Sequence, residues 1–259
     1  MDLAVIAVLS TLGLFVGMSV FAELGRRIGI ARLARNADGP AQGGSAAEAA
    51  VFGLLGLLIA FSFSGAASRF EDRRDLIVQE ANAIGTAYLR LDLLSAEPRT
   101  ELQALFRRYV DVRMATYRGP KNLAESEVKR AEGTKLQEEI WAKALAASRS
   151  SEAPLQTVIL LLPALNEMID ITSTRVMATL NHPPPVVFLL LGGLSLVGAL
   201  LVGYGTSINK DRSWFHTLVF AAILSITVYV IIDLEFPHLG LIRVDAADQV
   251  LIELRQSMR

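Results

Sequence analysis

Four uncharged apolar windows interrupt an otherwise charge-rich chain. The first runs from Leu3 to Ala22 and ends at Glu23, and the second runs from Ala49 to Ser68 and is closed by Arg69. The third spans Pro183 to Asn209, opened by Pro183-Pro184-Pro185, and the fourth spans Ser213 to Ile232 and ends at Asp233. Each is about as long as a helix must be to cross a hydrocarbon core roughly 30 Å thick. The pattern predicts an all-α integral membrane protein with four transmembrane helices. Residues 1–68 form a first transmembrane hairpin (spans about 3–22 and 49–68), and residues 183–233 a second (spans about 185–207 and 213–232). A signal peptide is the rival reading of the first window. Only Asp2 precedes it, however, and the run is too long for an h-region, so a membrane helix is expected.

The polar stretches have their own pattern. Residues 23–46 carry Arg26, Arg27, Arg32 and Arg35, then Asp38-Gly39-Pro40 and Gly43-Gly44-Ser45, and read as a turn-forming linker followed by a flexible one. Lys210, Asp211 and Arg212 form the short tip between the third and fourth windows. Residues 69–182 are rich in both charge signs and place apolar residues at helical spacing: Ile77, Ala81, Ile84, Tyr88 and Leu91, then Leu102, Leu105, Phe106, Tyr109 and Val110. Ser95 with Pro98 marks a helix start, and Arg118-Gly119-Pro120 a break. Leu136, Ile140, Trp141 and Leu145 mark a third helix, and a fourth runs from about Leu155 to Leu180, beyond Ser151 and Pro154. Its apolar stretch Val158–Leu162 is too short to span, so it reads as a packed helix feeding the third window. Residues 69–182 are thus expected to be a water-exposed helical domain whose helices extend the membrane helices outward, with 234–259 as a C-terminal tail.

Composition sharpens this picture mainly by exclusion. The hydrophobic fraction is 52% and the mean hydropathy +0.42, gathered in the four windows. A net charge of −1 gives no basis for nucleic-acid binding. With no cysteine, disulfides, thiol catalysis and thiolate metal sites are excluded. His182, His216 and His238 sit at the mouths of different windows with no HExxH spacing, so no metal is expected. No phosphate loop and no GxSxG elbow occurs, hence no catalytic residue, no cofactor and no enzyme are expected. Gly192-Gly193 and the Gly13/Gly17 pair read as helix-packing devices. No window has an ionisable residue at its centre, which argues against ion-coupled transport. Lysine and arginine do not set the orientation. The two short loops carry six, against seven near the membrane on the other side: Arg69, Arg73, Arg74, Arg175, Arg243, Arg255 and Arg259.

The second window holds the candidate site. Gly53, Leu57 and Phe61 recur every four residues and so share a helix face. Ser62 and Ser64 follow, then Arg69, Glu71, Asp72, Arg73 and Arg74. In a ring of subunits this face would build an apolar neck (Gly53, Leu57, Phe61) opening into a polar vestibule (Ser62, Ser64, Arg69, Arg73), and such constrictions gate ions by dewetting. The plainer reading, which periodicity alone favours, is that Leu57 and Phe61 pack against neighbouring helices.

The stretch Leu57-Leu58-Ile59-Ala60-Phe61-Ser62-Phe63-Ser64-Gly65-Ala66-Ala67-Ser68-Arg69-Phe70-Glu71-Asp72-Arg73-Arg74 resembles the second membrane helix of bacterial bestrophins and the segment after it. Asp233-Leu234-Glu235-Phe236-Pro237-His238-Leu239-Gly240 resembles the acidic segment that follows their last helix. The chain is more similar still to a bacterial family described as bestrophin-like, through Glu80-Ala81-Asn82-Ala83-Ile84-Gly85-Thr86 and Gly240-Leu241-Ile242-Arg243-Val244. The resemblance implies a homo-oligomeric ring, pentameric in bestrophins, in the bacterial inner membrane, with both termini and residues 69–182 cytoplasmic. It implies neck positions for Leu57 and Phe61. Gly53 departs from the bulky apolar residue of bestrophins, so the outer neck would be wider. The calcium-binding acidic run of animal bestrophins is not reproduced, since Asp233, Glu235, Asp245 and Asp248 are scattered. The family includes anion- and cation-conducting members, so charge selectivity does not carry over.

Two functions fit these observations. One is a passive ion channel whose partners are its own copies, the lipid bilayer and permeant ions. The other is a non-conducting membrane scaffold or sensor whose helical insertion binds a partner.

Overall fold

The structure is a computed structural model that describes residues 3–35, 45–118, 123–150, 154–208, 214–236, 241–242 and 245–258. These residues form helices α1 (Leu3–Leu33), α2 (Ser45–Arg90), α3 (Ala96–Arg118), α4 (Leu123–Ser148), α5 (Leu155–Leu180), α6 (Pro185–Gly205), α7 (Trp214–Glu235) and α8 (Asp245–Ser257). Short 3-10 turns follow α2 at Leu91–Leu93 and α6 at Thr206–Ile208. Among the described residues four stretches are long and apolar enough to cross a bilayer: in α1, in α2, between Leu155 and Ile208, and in α7. The chain divides into two compact units. One comprises Met1–Phe70 and His182–Ile242, the other Glu71–Asn181 and Arg243–Arg259. The expected turns at Asp38-Gly39-Pro40, Gly119-Pro120, Ser151 and the 210–212 tip lie outside the described residues.

In the first unit, α1 corrects the reading of residues 23–46 as linker throughout. It continues as helix to Leu33. Glu23 and Arg27 pair one turn apart at 2.9 Å, and the glycines within the segment are contacts with α6 rather than breaks. A Cβ on Gly25 would collide with the Leu200 carbonyl, and one on Gly203 with the Ala22 carbonyl. A Cβ on Gly29 would run into the Ser207 side chain. Lipid tails are as apolar as leucine, so helices in a bilayer gain from close packing rather than from escaping solvent. Glycine alone permits these backbone approaches. Of the glycines singled out from sequence, Gly17 alone packs closely. Gly17 faces Leu196 Cδ2, 3.1 Å from where its Cβ would be, whereas Gly13, Gly192 and Gly193 have open space there.

Beyond this seam, Met18 and Ala22 of α1 are buried with Ala199 of α6 and Ala221 of α7. A second cluster joins Leu55 and Ala66 of α2 to Leu191 of α6 and Val228, Ile231 and Leu234 of α7. Buried Ser195 is satisfied within its own helix, donating to the Leu191 carbonyl at 2.7 Å, whereas buried Ser225 of α7 reaches across to Met18 Sδ of α1 at 3.9 Å.

In the second unit, α3 begins where Ser95 and Pro98 predict, with the Arg99 amide donating to the Ser95 carbonyl. The periodic positions Ile77, Ala81, Ile84, Leu91, Leu102, Phe106, Tyr109, Val110, Leu136 and Ile140 are all buried. Tyr88 meets Phe106 edge-on, ring centroids 5.9 Å apart. The polar heart of this unit was not legible as such. Glu80 is fully buried and accepts from Arg113 Nε at 2.5 Å and from Arg175 Nη1. Both arginines are themselves buried. Beside them, Gln137 Nε2 donates to the Tyr109 hydroxyl at 2.9 Å and to Thr172 Oγ1 at 3.0 Å. Burial opposes the charge on Glu80, but Arg113 and Arg175 outweigh it and hold the carboxyl below its ordinary value. Burial, with the Glu80 charge adding to it, pushes the Tyr109 phenol up against the pull of Arg113. The C-terminal tail is ordered here as α8, which buries Leu251 and sends Arg255 to both Asp111 oxygens at 2.8 and 3.1 Å.

Gly25→Val should abolish the folded protein or cost more than the roughly 1–3 kcal/mol of ordinary overpacking, because the obstacle is backbone. Gly13→Ala should leave thermal unfolding in detergent unchanged. Glu80→Gln leaves two buried guanidiniums without their carboxylate and should cost about 3–5 kcal/mol near neutral pH. The folded carboxyl titrates below its ordinary value of 4.5, so its contribution is complete above that pH and lost as pH falls through the folded value. The wild type should therefore approach the variant in melting temperature only below about pH 4.5.

Candidate functional site

The second helix has two unlike sides. Leu55 and Ala66, 3% and 0% exposed, face the α6–α7 cluster. On the opposite side Leu57 is 52% and Phe61 67% exposed, and Gly53, Ala60, Ser64 and Ser68 are exposed with them. At 100° per residue these six fall within about 60° of the Leu57 direction. This stripe is apolar at Gly53, Leu57, Ala60 and Phe61 and hydroxylic at Ser64 and Ser68. Gly53 has open space where a side chain would project.

The other residues of the predicted vestibule lie elsewhere on the helix. Ser62 is half-buried and sits about 140° round from Leu57. Arg69 is directed at the end of α7, where its Nε donates to Glu235 Oε1 at 2.9 Å and Oε2 at 3.1 Å and its Nη2 also donates to Oε1. Arg73, in the second unit, is buried and donates to the carbonyls of Ala178 at 3.1 Å and Asn181 at 3.0 Å. It thereby satisfies acceptors left open at the C-terminus of α5 and adds favourable charge there.

The acidic segment after the fourth window does two separate jobs. The Glu235 side chain is fully buried, and besides Arg69 it has His182 Nδ1 at 3.4 Å. The His182 ring stacks on Phe236, centroids 4.6 Å apart. Asp233 accepts instead from the amides of Leu241 at 3.0 and 3.1 Å and of Ile242 at 2.8 Å, fastening the chain beyond α7. So the structure unites Arg69 with Glu235, two residues singled out separately, and separates both from the Leu57–Phe61 stripe. His216 sits against its neighbour Phe215. Among the described residues no group of three or more His, Cys, Asp or Glu side chains is arranged to hold a metal ion. His238 and the side chains of Asp245 and Asp248 lie outside the described residues. Sequence reasoning missed Ser68, although the four-residue step from Ser64 points to it. It also missed His182 as a partner of Glu235, since 53 residues separate them and no local pattern connects them.

These features define a class: an all-helical membrane protein in which one face of its second helix is left uncovered by its own chain. Residues 35–248 match the bestrophin-like domain, and the chain belongs to that family. Its fold is similar to two solved variants of a bacterial bestrophin homologue from Klebsiella pneumoniae. One superposes with a TM-score of 0.67 at 13% identity, covering 94% of this chain and 98% of that one. The other gives 0.60 at 14% identity, covering 93% and 98%. No curated protein matches the sequence.

Arg69→Ala strands a buried carboxylate and should lower stability by about 3–5 kcal/mol. Adding Glu235→Gln should recover much of that loss, a coupling that thermal unfolding of the two single variants and the double variant in detergent would measure. Additive losses would mean the pair does not hold α2 to α7.

Proposed function

We propose that this protein is a passive, homo-oligomeric ion channel, with α2 lining the pore and Gly53, Leu57 and Phe61 forming an apolar neck. The observation that carries this reading is the uncovered α2 stripe. Two large apolar side chains stand exposed directly opposite the buried Leu55 and Ala66. The same face becomes hydroxylic at Ser64 and Ser68 toward the end of the span, which suits a water-filled axis. Membership of the bestrophin-like family supports the same arrangement.

In this reading five copies surround the axis, as in bestrophins, and the neck gates by dewetting where Leu57 and Phe61 narrow the path. Ser64 lies in the vestibule beyond the neck. Ser62 and Arg69 lie on the side of α2 turned toward its own protomer, where Glu235 holds the Arg69 guanidinium. Residues 1–68 and 183–233 are the two transmembrane hairpins, residues 69–182 the cytoplasmic helical insertion, and residues 234–259 a cytoplasmic tail. Both termini face the cytoplasm of a bacterial cell, and the protein resides in the inner membrane. The wide position at Gly53 makes Leu57 and Phe61 the narrowest part.

The Leu57→Ala, Phe61→Ala double variant should raise ion flux into liposomes several-fold over wild type, with oligomer size unchanged by native mass spectrometry. A monomer or dimer in that measurement, or unchanged flux through an intact ring, would reject the neck and favour a scaffold that binds a partner through its helical unit.

A further inference from the structure

A concave surface lies within the first unit, lined by none of the α2 stripe residues. Between α1 and the start of α7 runs an open groove of about 600 Å³. That volume is in the range of small-ligand sites, about 300–1,000 Å³. Its walls are Phe15, Val16, Val20 and Leu24 of α1 and Leu218 of α7. The one hydroxyl among them, Ser19, donates to the Phe15 carbonyl at 2.9 Å and offers no polar demand. Along α1 the groove extends from Phe15 to Arg27, about 18 Å at 1.5 Å per residue. It therefore suits a long, thin, apolar occupant better than a compact one.

The two ends of the groove differ. One is wholly apolar and lies well inside the span. The other ends on Glu23, Arg27 and Trp214. Immediately beside it a small polar niche of about 20 Å³ is lined by Glu23, Arg26, Trp214 and Thr217 among others. That niche holds about one water-sized group. Tryptophan at the start of a span is an interfacial residue, placing this end at headgroup level. Arg27 pairs with Glu23, but 75% of the arginine side chain is exposed, so the pair is open to an incoming anion. The charged residues lining this end are two arginines, Arg26 and Arg27, against a single acid, Glu23. An apolar slot that ends in a surplus of arginines at the interface matches one chemistry: an acyl chain carrying an anionic headgroup.

We propose that the α1–α7 groove is a binding site for an anionic phospholipid. One acyl chain lies along Val16, Val20 and Leu24, and the phosphate sits at Arg26 and Arg27 beside Trp214.

The protein reports on this site itself. Trp214 and Trp141 are its two tryptophans, so Trp141→Phe leaves Trp214 as the sole tryptophan, whose emission is excited selectively over the tyrosines. Reconstituted into phosphatidylcholine vesicles, this variant would be titrated with phosphatidylglycerol, or with further phosphatidylcholine, brominated on the acyl chain. Trp214 should be quenched at several-fold lower mole fractions of the brominated anionic lipid, about five-fold for each arginine engaged. Equal quenching by the two lipids would overturn the proposal. Arg26→Gln with Arg27→Gln should remove the preference. Val16→Phe with Val20→Phe, which fills the slot and keeps both arginines, should also remove it. If the preference persists in the filled variant, surface charge alone selects the lipid and the groove is not the site. The comparison of two lipids on the Trp141→Phe protein needs no altered groove, so a poorly folding variant leaves the test intact.

Discussion

The Arg69–Glu235 pair is the constraint on which the arrangement of α2 depends. A carboxylate with no exposed surface at the end of α7 is tolerated because a guanidinium on α2 meets it with several hydrogen bonds. Broken, it would leave a bare buried charge, which is far more costly than never having built the pair. One side of α2 is thereby committed to α7, with Leu55 and Ala66 closing the same side by apolar contact. The opposite side, at Leu57 and Phe61, is consequently turned away from the protomer. The exposed Leu57–Phe61 stripe and its anchor are two consequences of a single helical rotation.

The second unit solves a similar problem with different partners. Glu80 is buried between two arginines from α3 and α5, and the Tyr109–Gln137–Thr172 network lies beside them. Such an assembly is specific rather than merely cohesive. Each member has its demand met only when α2, α3, α4 and α5 stand in one arrangement. The apolar positions around it would accept several arrangements, as cores of the right volume generally do.

Much of this fold is legible in the sequence because it rests on local periodicity. The four apolar windows, the start of α3 at Ser95–Pro98 and the extent of α5 follow from spacing and breakers alone. The misreadings concern long-range partners. Arginine-rich residues 23–33 look like loop until α6 is present to receive Gly25 and Gly29. Arg69 and Arg73 continue the spacing of Gly53, Leu57 and Phe61, but that spacing gives no sign that both guanidiniums are held by acceptors more than a hundred residues away in the chain. Conversely, Ser64 and Ser68 need no partner to be read, and the stripe they extend follows from helical geometry. Periodicity says which residues share a face. It is silent on what covers that face.

The glycine seam between α1 and α6 bears on how freely this sequence can drift. A side chain that clashes with another side chain can be rescued when the neighbour shrinks, so most core positions wander in compensating pairs. At Gly25 and Gly203 the obstacle is a carbonyl oxygen, which every amino acid carries. No replacement at Leu200 or Ala22 removes it. Suppressors of a lesion at either glycine would have to displace a whole helix rather than trim a residue. Those two sites are therefore frozen individually, while exposed positions on the opposite face of α1, such as Leu9 and Ile30, remain free to vary.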